Sequence, residues 1–155
     1  MSTYKSFRIF LVAAFSLNVG CTKDSDQVVA CNQMLTPVYL NFKVVNKVTS
    51  QDLFFAGNPL YNIKDLYFFK TKDITQKDTI RPTVENVGAA RYFKLTIDNT
   101  KLQDTLVMKI ANSAVDQLIT NLKRTEDVCP ILVLDKIQSN GIQLTTEQGV
   151  YTIRK

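Results

Sequence analysis

The chain contains no histidine and no tryptophan. Without an imidazole, Ser-His-Asp and Cys-His catalysis are excluded, and with three cysteines so are the usual four-ligand zinc sets. The five glycines, Gly20, Gly57, Gly88, Gly141 and Gly149, each stand alone, so no glycine-rich loop is present to cradle a phosphate. No apolar run reaches the roughly 20 residues that a membrane-spanning helix needs. The formal charge of +5 is too mild and too dispersed to argue for nucleic acid. Its lysines, among them Lys43, Lys47, Lys70, Lys72, Lys94 and Lys109, sit in separate alternating runs, the pattern of a solvated sheet face. No cofactor and no metal is expected.

What is present begins with an address. Lys5 and Arg8 precede an apolar run from Ile9 to Leu17, and Gly20 sits directly before Cys21, the layout of an export signal ending in a lipidation site. Leu17-Asn18-Val19-Gly20-Cys21 resembles the lipobox of bacterial lipoproteins, with Asn18 where that motif usually has leucine. The resemblance implies cleavage before Cys21 and acylation of its sulfur, hence a lipid anchor in the outer membrane of the cell envelope. Thr22-Lys23-Asp24-Ser25-Asp26-Gln27 is a polar tether, and a lysine with acidic residues just behind the cysteine resembles the surface-export signal of Bacteroidota lipoproteins. The expected organisation is a signal peptide over 1–20, a tether over 21–36 and one domain over 37–155. Removing 1–20 takes Lys5 and Arg8 with it and lowers the formal charge from +5 to +3. Cys31 and Cys129 remain, in a compartment where a disulfide persists, and they are the candidates for one bridge.

The domain reads as strands. Val38, Leu40, Phe42 and Val44 alternate with Tyr39, Asn41 and Lys43; Phe93, Leu95 and Ile97 alternate over 91–97; Leu106, Met108 and Ile110 continue the pattern. Leu53-Phe54-Phe55 reads as a short strand, and the aromatic run 65–70 as a central strand or one whose outer face is covered. Residues 115–124 fit either helix or strand, and strands on both sides favour strand. Ile131 to Ile137 is strongly β, Asn140-Gly141 is a hairpin turn, and Val150–Arg154 is the last strand. Turn signals about every ten residues predict a single antiparallel β-sandwich, all-β and Ig-like, with Leu40, Phe42, Val44, Phe68, Leu95, Ile97, Leu106, Met108 and Ile137 in its core. The tether, the run Val44–Phe55, Asn58-Pro59 with Tyr61, and Asn140-Gly141 with Val150–Ile153 together resemble small Bacteroidota lipoproteins with immunoglobulin-like or transthyretin-like sandwich domains. That resemblance implies architecture and transfers no activity.

Carboxylates are the remaining catalytic currency. Asp98 with Asp104, or Asp73 with Asp78, would be the acid and base of a carboxylate-only glycoside hydrolase, but both pairs lie in turns where aspartate is favoured for backbone hydrogen bonding. Asp98, Asn99 and Asp104 lack EF-hand spacing for calcium. Thr79 and Thr105 sit in Asp-Thr-apolar triplets that resemble O-glycosylation sites of Bacteroidota. The aromatics of the first half, from Phe54 to Phe93, are expected to pack the core. The expectation is therefore a binding or interaction module for a protein or glycan partner rather than an enzyme, with 57–62 and 71–82 as its working surface; a structural subunit of a surface assembly is the alternative.

Overall fold

In a computed structural model the described residues are 36–72 and 78–155. Residues 1–20, where a signal peptide is expected, and Cys21, Cys31 and Asp73 lie outside them. The strands are β1 (Val38–Val45), β2 (Leu66–Lys70), β3 (Thr83–Val87), β4 (Ala90–Ile97), β5 (Gln103–Ile110), β6 (Asp116–Arg124), β7 (Leu132–Ser139), β8 (Ile142–Gln143), β9 (Thr146–Glu147) and β10 (Val150–Arg154), with one 3-10 turn at Ile63–Asp65. They form two five-stranded sheets, ordered β3-β4-β1-β10-β9 and β2-β5-β6-β7-β8. Every pair of these strands is antiparallel except β1 with β10.

Alternation builds the core, because a strand with one apolar face can bury it only against the facing sheet. Val38, Leu40, Phe42 and Val44 from β1 meet Phe68, Leu106, Met108, Ile110, Leu118 and Ile137 from the other sheet in one buried cluster. All nine core residues expected from the alternation are in that cluster. Residues 116–124 are strand, with Leu118, Thr120 and Leu122 inward. Asn140 and Gly141 take φ of 49° and 80° in a two-residue turn from β7 to β8, and Gln148-Gly149 repeats that geometry, at 50° and 79°, between β9 and β10. Glu147 pairs with Val150 across that turn.

Two expectations are corrected. Leu53–Phe55 is not a strand: Asp52 bridges Val45, and its Oδ1 accepts from the backbone N–H of Phe54 and of Phe55, each at 2.8 Å. A local carboxylate acceptor wins over a ladder here, bending the chain so that Leu53 and Phe54 drop into the core. Of the two alternatives for the aromatic strand β2, the central position is overturned, since β2 is an edge, and the covered outer face is the one found. Ile80 covers that edge with a pair of backbone bonds to Phe68 at 2.8 and 2.7 Å, and Phe69 is buried on the outer face.

The two ends of the sandwich differ. The chain enters beside the turn after β4, where Asn99 Nδ2 donates to the Thr36 carbonyl at 3.0 Å. The β4–β5 and β6–β7 connections lie at this entry end, because β4 ends opposite the start of β1, and β5 begins opposite the end of β6. The connections at 46–62, 88–89, 111–115 and 140–141 lie at the far end. Residues 57–62 and the departure of 71–72 from β2 are therefore at opposite ends and do not make one surface.

Candidate functional site

Where Leu40, Phe42 and Val44 point inward, Asn41 and Lys43 must point outward. By the same rule β4 turns Tyr92 and Lys94 out while Phe93 and Leu95 go in. Pairing of β1 with β4 stops at Phe42 and Phe93; beyond it, Leu53 N–H donates to the Val44 carbonyl at 2.9 Å and the segment around Asp52 takes β4's place. Arg91 and Ala90 are thereby released from β1. The result is an open groove of about 550 Å³ on the outer face of the first sheet. Asn41 and Lys43 lie in it, the β3–β4 hairpin with Arg91 and Tyr92 lines one side, and the β9–β10 hairpin with Glu147 and Gln148 the other.

Two features of this groove have chemical content. Asn41 Oδ1 is buried yet accepts no hydrogen bond, alone among described side-chain nitrogen and oxygen atoms. Leaving a buried amide oxygen unpaired costs on the order of 1–3 kcal/mol, so its retention needs a reason. The Arg91 guanidinium lies 4.9 Å from the centre of the Phe55 ring, which fixes the guanidinium at the groove wall. Further along the same face, the Lys94 ammonium sits 4.3 Å from the Tyr39 ring and 3.4 Å from Glu85 Oε1. A smaller hollow of about 290 Å³ at the far end shares Asp52 with the groove and includes Asn58, Pro59 and Leu60 from the expected surface 57–62.

The paired carboxylates are brought together, but around a cation. Lys70 Nζ bonds Asp98 Oδ2 at 3.1 Å and also bonds Asp104 Oδ2. Asp98 Oδ1 accepts from the Thr100 hydroxyl at 2.6 Å and from its backbone N–H at 3.1 Å, the turn chemistry expected of it. Those two Thr100 bonds, then Lys70, hold the Asp98 carboxyl well below the usual carboxylate range. Burial alone would lower the Lys70 ammonium, and the bonds from Asp104 and Asp98 outweigh it, leaving it raised. Such a carboxyl does not carry the proton a general acid must donate near neutral pH. Asn99 does not join the pair, since it serves Thr36, and no group of three or more His, Cys, Asp or Glu that could hold a metal occurs among the described residues.

The cluster has a pH signature. A depressed Asp98 contributes stability that is fully present above its unfolded value of 3.8 and is lost as pH falls through the lower folded value. A raised Lys70 contributes stability present below 10.5 and lost as pH rises through its higher folded value. Asp98→Asn is thus expected to lower the urea midpoint between pH 5 and 9, with the difference from wild type shrinking below pH 3. A constant difference down to pH 2 would refute the ion-pair role.

The other sequence candidates are scattered. Thr79 is exposed in the connection after 78, whereas Thr105 is half-buried inside β5, with its carbonyl accepting from the Thr71 hydroxyl at 3.1 Å, and so is not in a loop. Cys129 is disulfide-bonded in the exposed β6–β7 connection. The only other cysteines, Cys21 and Cys31, are outside the described residues. Asn41 was legible only as one more outward polar residue, because its isolation is created by the hairpins on either side. Comparison with family models, with curated proteins and with solved structures gave no match.

Proposed function

We propose that the protein is a lipid-anchored binding module of the cell envelope, tethered to the outer membrane through Cys21, that holds a ligand in the groove over Asn41. The observation that carries this reading is the open groove itself, about 550 Å³ on the outer face of the first sheet, with Lys43, Arg91, Tyr92 and Glu147 in its lining. The sequence layout up to Cys21 supports the anchor. Engagement of Asp98 and Asp104 by Lys70 weighs against the carboxylate-only hydrolase. Edges that are short, two residues in β8 and β9 and five in β3, or covered, as in β2, weigh against an assembly subunit built by strand addition.

A photo-crosslinking residue at Gln148, on the groove wall, is expected to capture an envelope component in living cells. The same residue at Lys136, on the outer face of β7, should capture nothing in common with it. Identical adducts from both positions, or none from Gln148, would remove the groove as the working site.

A further inference from the structure

We infer that the entry end of the sandwich docks on the lipid surface, an inference that rests on the lipid-anchor reading and adds a second, non-covalent contact with the membrane. Neighbouring segments build the docking rim. Leu122 N–H donates to the Leu102 carbonyl at 2.7 Å, which lays the β4–β5 connection beside β6, and Thr125 N–H donates to the Ile131 carbonyl at 2.9 Å, which sets Ile131 on the opposite side of the same chain. Leu102, Val128 and Ile131 are 57%, 77% and 44% exposed there. Three large apolar side chains are thus grouped on one rim instead of scattered, the arrangement of an interaction surface. Exposed charges among them balance, Lys101 and Arg124 against Glu126 and Asp127, while Lys123 is paired with Asp135 at 3.2 Å.

Exposure alone does not choose the occupant, since Val48, Leu60 and Ile142 at the far end are exposed too. The attachment of the chain does. Asn99 fixes Thr36 beside the β4–β5 turn, and the fifteen residues from Cys21 to Thr36 reach at most about 50 Å when fully extended. The disulfide at Cys129 shortens that reach: with Cys21 acylated its partner is Cys31, ten residues from the lipid, or about 35 Å, and Val128 is the next residue to Cys129. A link this short makes docking an intramolecular event, so weak apolar contact suffices at the entry end. The far end lies further off by the length of β1, about 25 Å. Because the charges balance, the contact is one of apolar side chains entering the headgroup boundary and not of attraction to anionic lipid.

The absence of tryptophan makes the test clean, because a single introduced indole reports alone. The full lipoprotein is reconstituted into phosphatidylcholine vesicles whose acyl chains are brominated near the headgroup, in the variants Leu102→Trp, Val128→Trp and, as the far-end control, Val48→Trp. Emission from the first two is expected to fall at least two-fold relative to vesicles without bromine, and to stay low in 0.5 M salt; emission from Val48→Trp should not change. Adding Val128→Ser and Ile131→Ser to Leu102→Trp should restore its emission, and both replaced side chains are exposed, so the fold is kept. Equal quenching at both ends, or none at the entry end, in protein that floats with the vesicles would overturn docking and leave the anchor standing. Shielding of the Leu102→Trp indole from aqueous acrylamide without quenching by bromine would assign the rim to a second copy or another protein and equally overturn it. Protein that does not float with the vesicles would remove the anchor and the docking together.

Discussion

Replacing Cys21 with serine is expected to abolish membrane attachment and to leave residues 1–20 on the chain. The effect is all-or-none because a serine hydroxyl does not form the thioether on which acylation and cleavage depend, and no other segment of the sequence is long and apolar enough to hold a bilayer. The disulfide at Cys129 makes this prediction sharper, since one sulfur cannot carry both a lipid thioether and a disulfide bond. If Cys21 is the anchor, the partner of Cys129 must be Cys31. Peptide mapping without reductant should then recover a Cys31–Cys129 pair and an acylated amino terminus at Cys21. A Cys21–Cys129 pair in the native protein would sink the lipid anchor outright. The bridge would close a loop of about 100 residues, and Cys31→Ser should cost about 2–5 kcal/mol, read as a lower denaturant midpoint. It would also tie the tether to the β6–β7 connection, at the end where Thr36 enters the domain.

Much of the fold was legible because period-two alternation is enforced by burial: in β1, β4 and β5 a slip of one residue would expose the apolar side chains that the alternation turns inward. Asn140-Gly141 was legible for a local reason, the positive φ that both residues tolerate. What escaped the sequence depends on contacts distant along the chain. Lys70 reads as one lysine among several on an outer face, and only the pairing of β2 with β5 sets it between Asp98 and Asp104. Nothing local marks Asp52, yet its two backbone bonds decide that Leu53–Phe55 bends instead of pairing. The same bend displaces β4 from the second half of β1, so the groove itself follows from one carboxylate whose role no local pattern announces.

Phe93→Ala is expected to be the most destabilising single change in the domain. Phe93 is fully buried on β4, where β1 loses its pairing with that strand, and its ring meets three others. The Phe42 ring is stacked against it at 5.4 Å, Phe54 meets it edge-on at 5.1 Å, and Phe55 lies tilted at 4.8 Å. Truncating a buried phenylalanine costs about 3–5 kcal/mol through lost transfer energy and the cavity left behind. Here the cavity borders the bent segment, which no sheet pairing holds rigid beyond Asp52, so partial collapse should come from Phe54 and Phe55 moving inward. Against a typical total of about 5–15 kcal/mol for a domain, that loss removes a large share of the stability. Phe93→Leu, which fills most of the volume, should lose less than half as much. Urea unfolding followed by far-ultraviolet circular dichroism checks both. A Phe93→Ala loss under about 1 kcal/mol, with an unchanged slope, would mean that the ring cluster does not hold the bend in place. In Phe93→Ala, inward movement of Phe55 would also carry away the ring beneath Arg91.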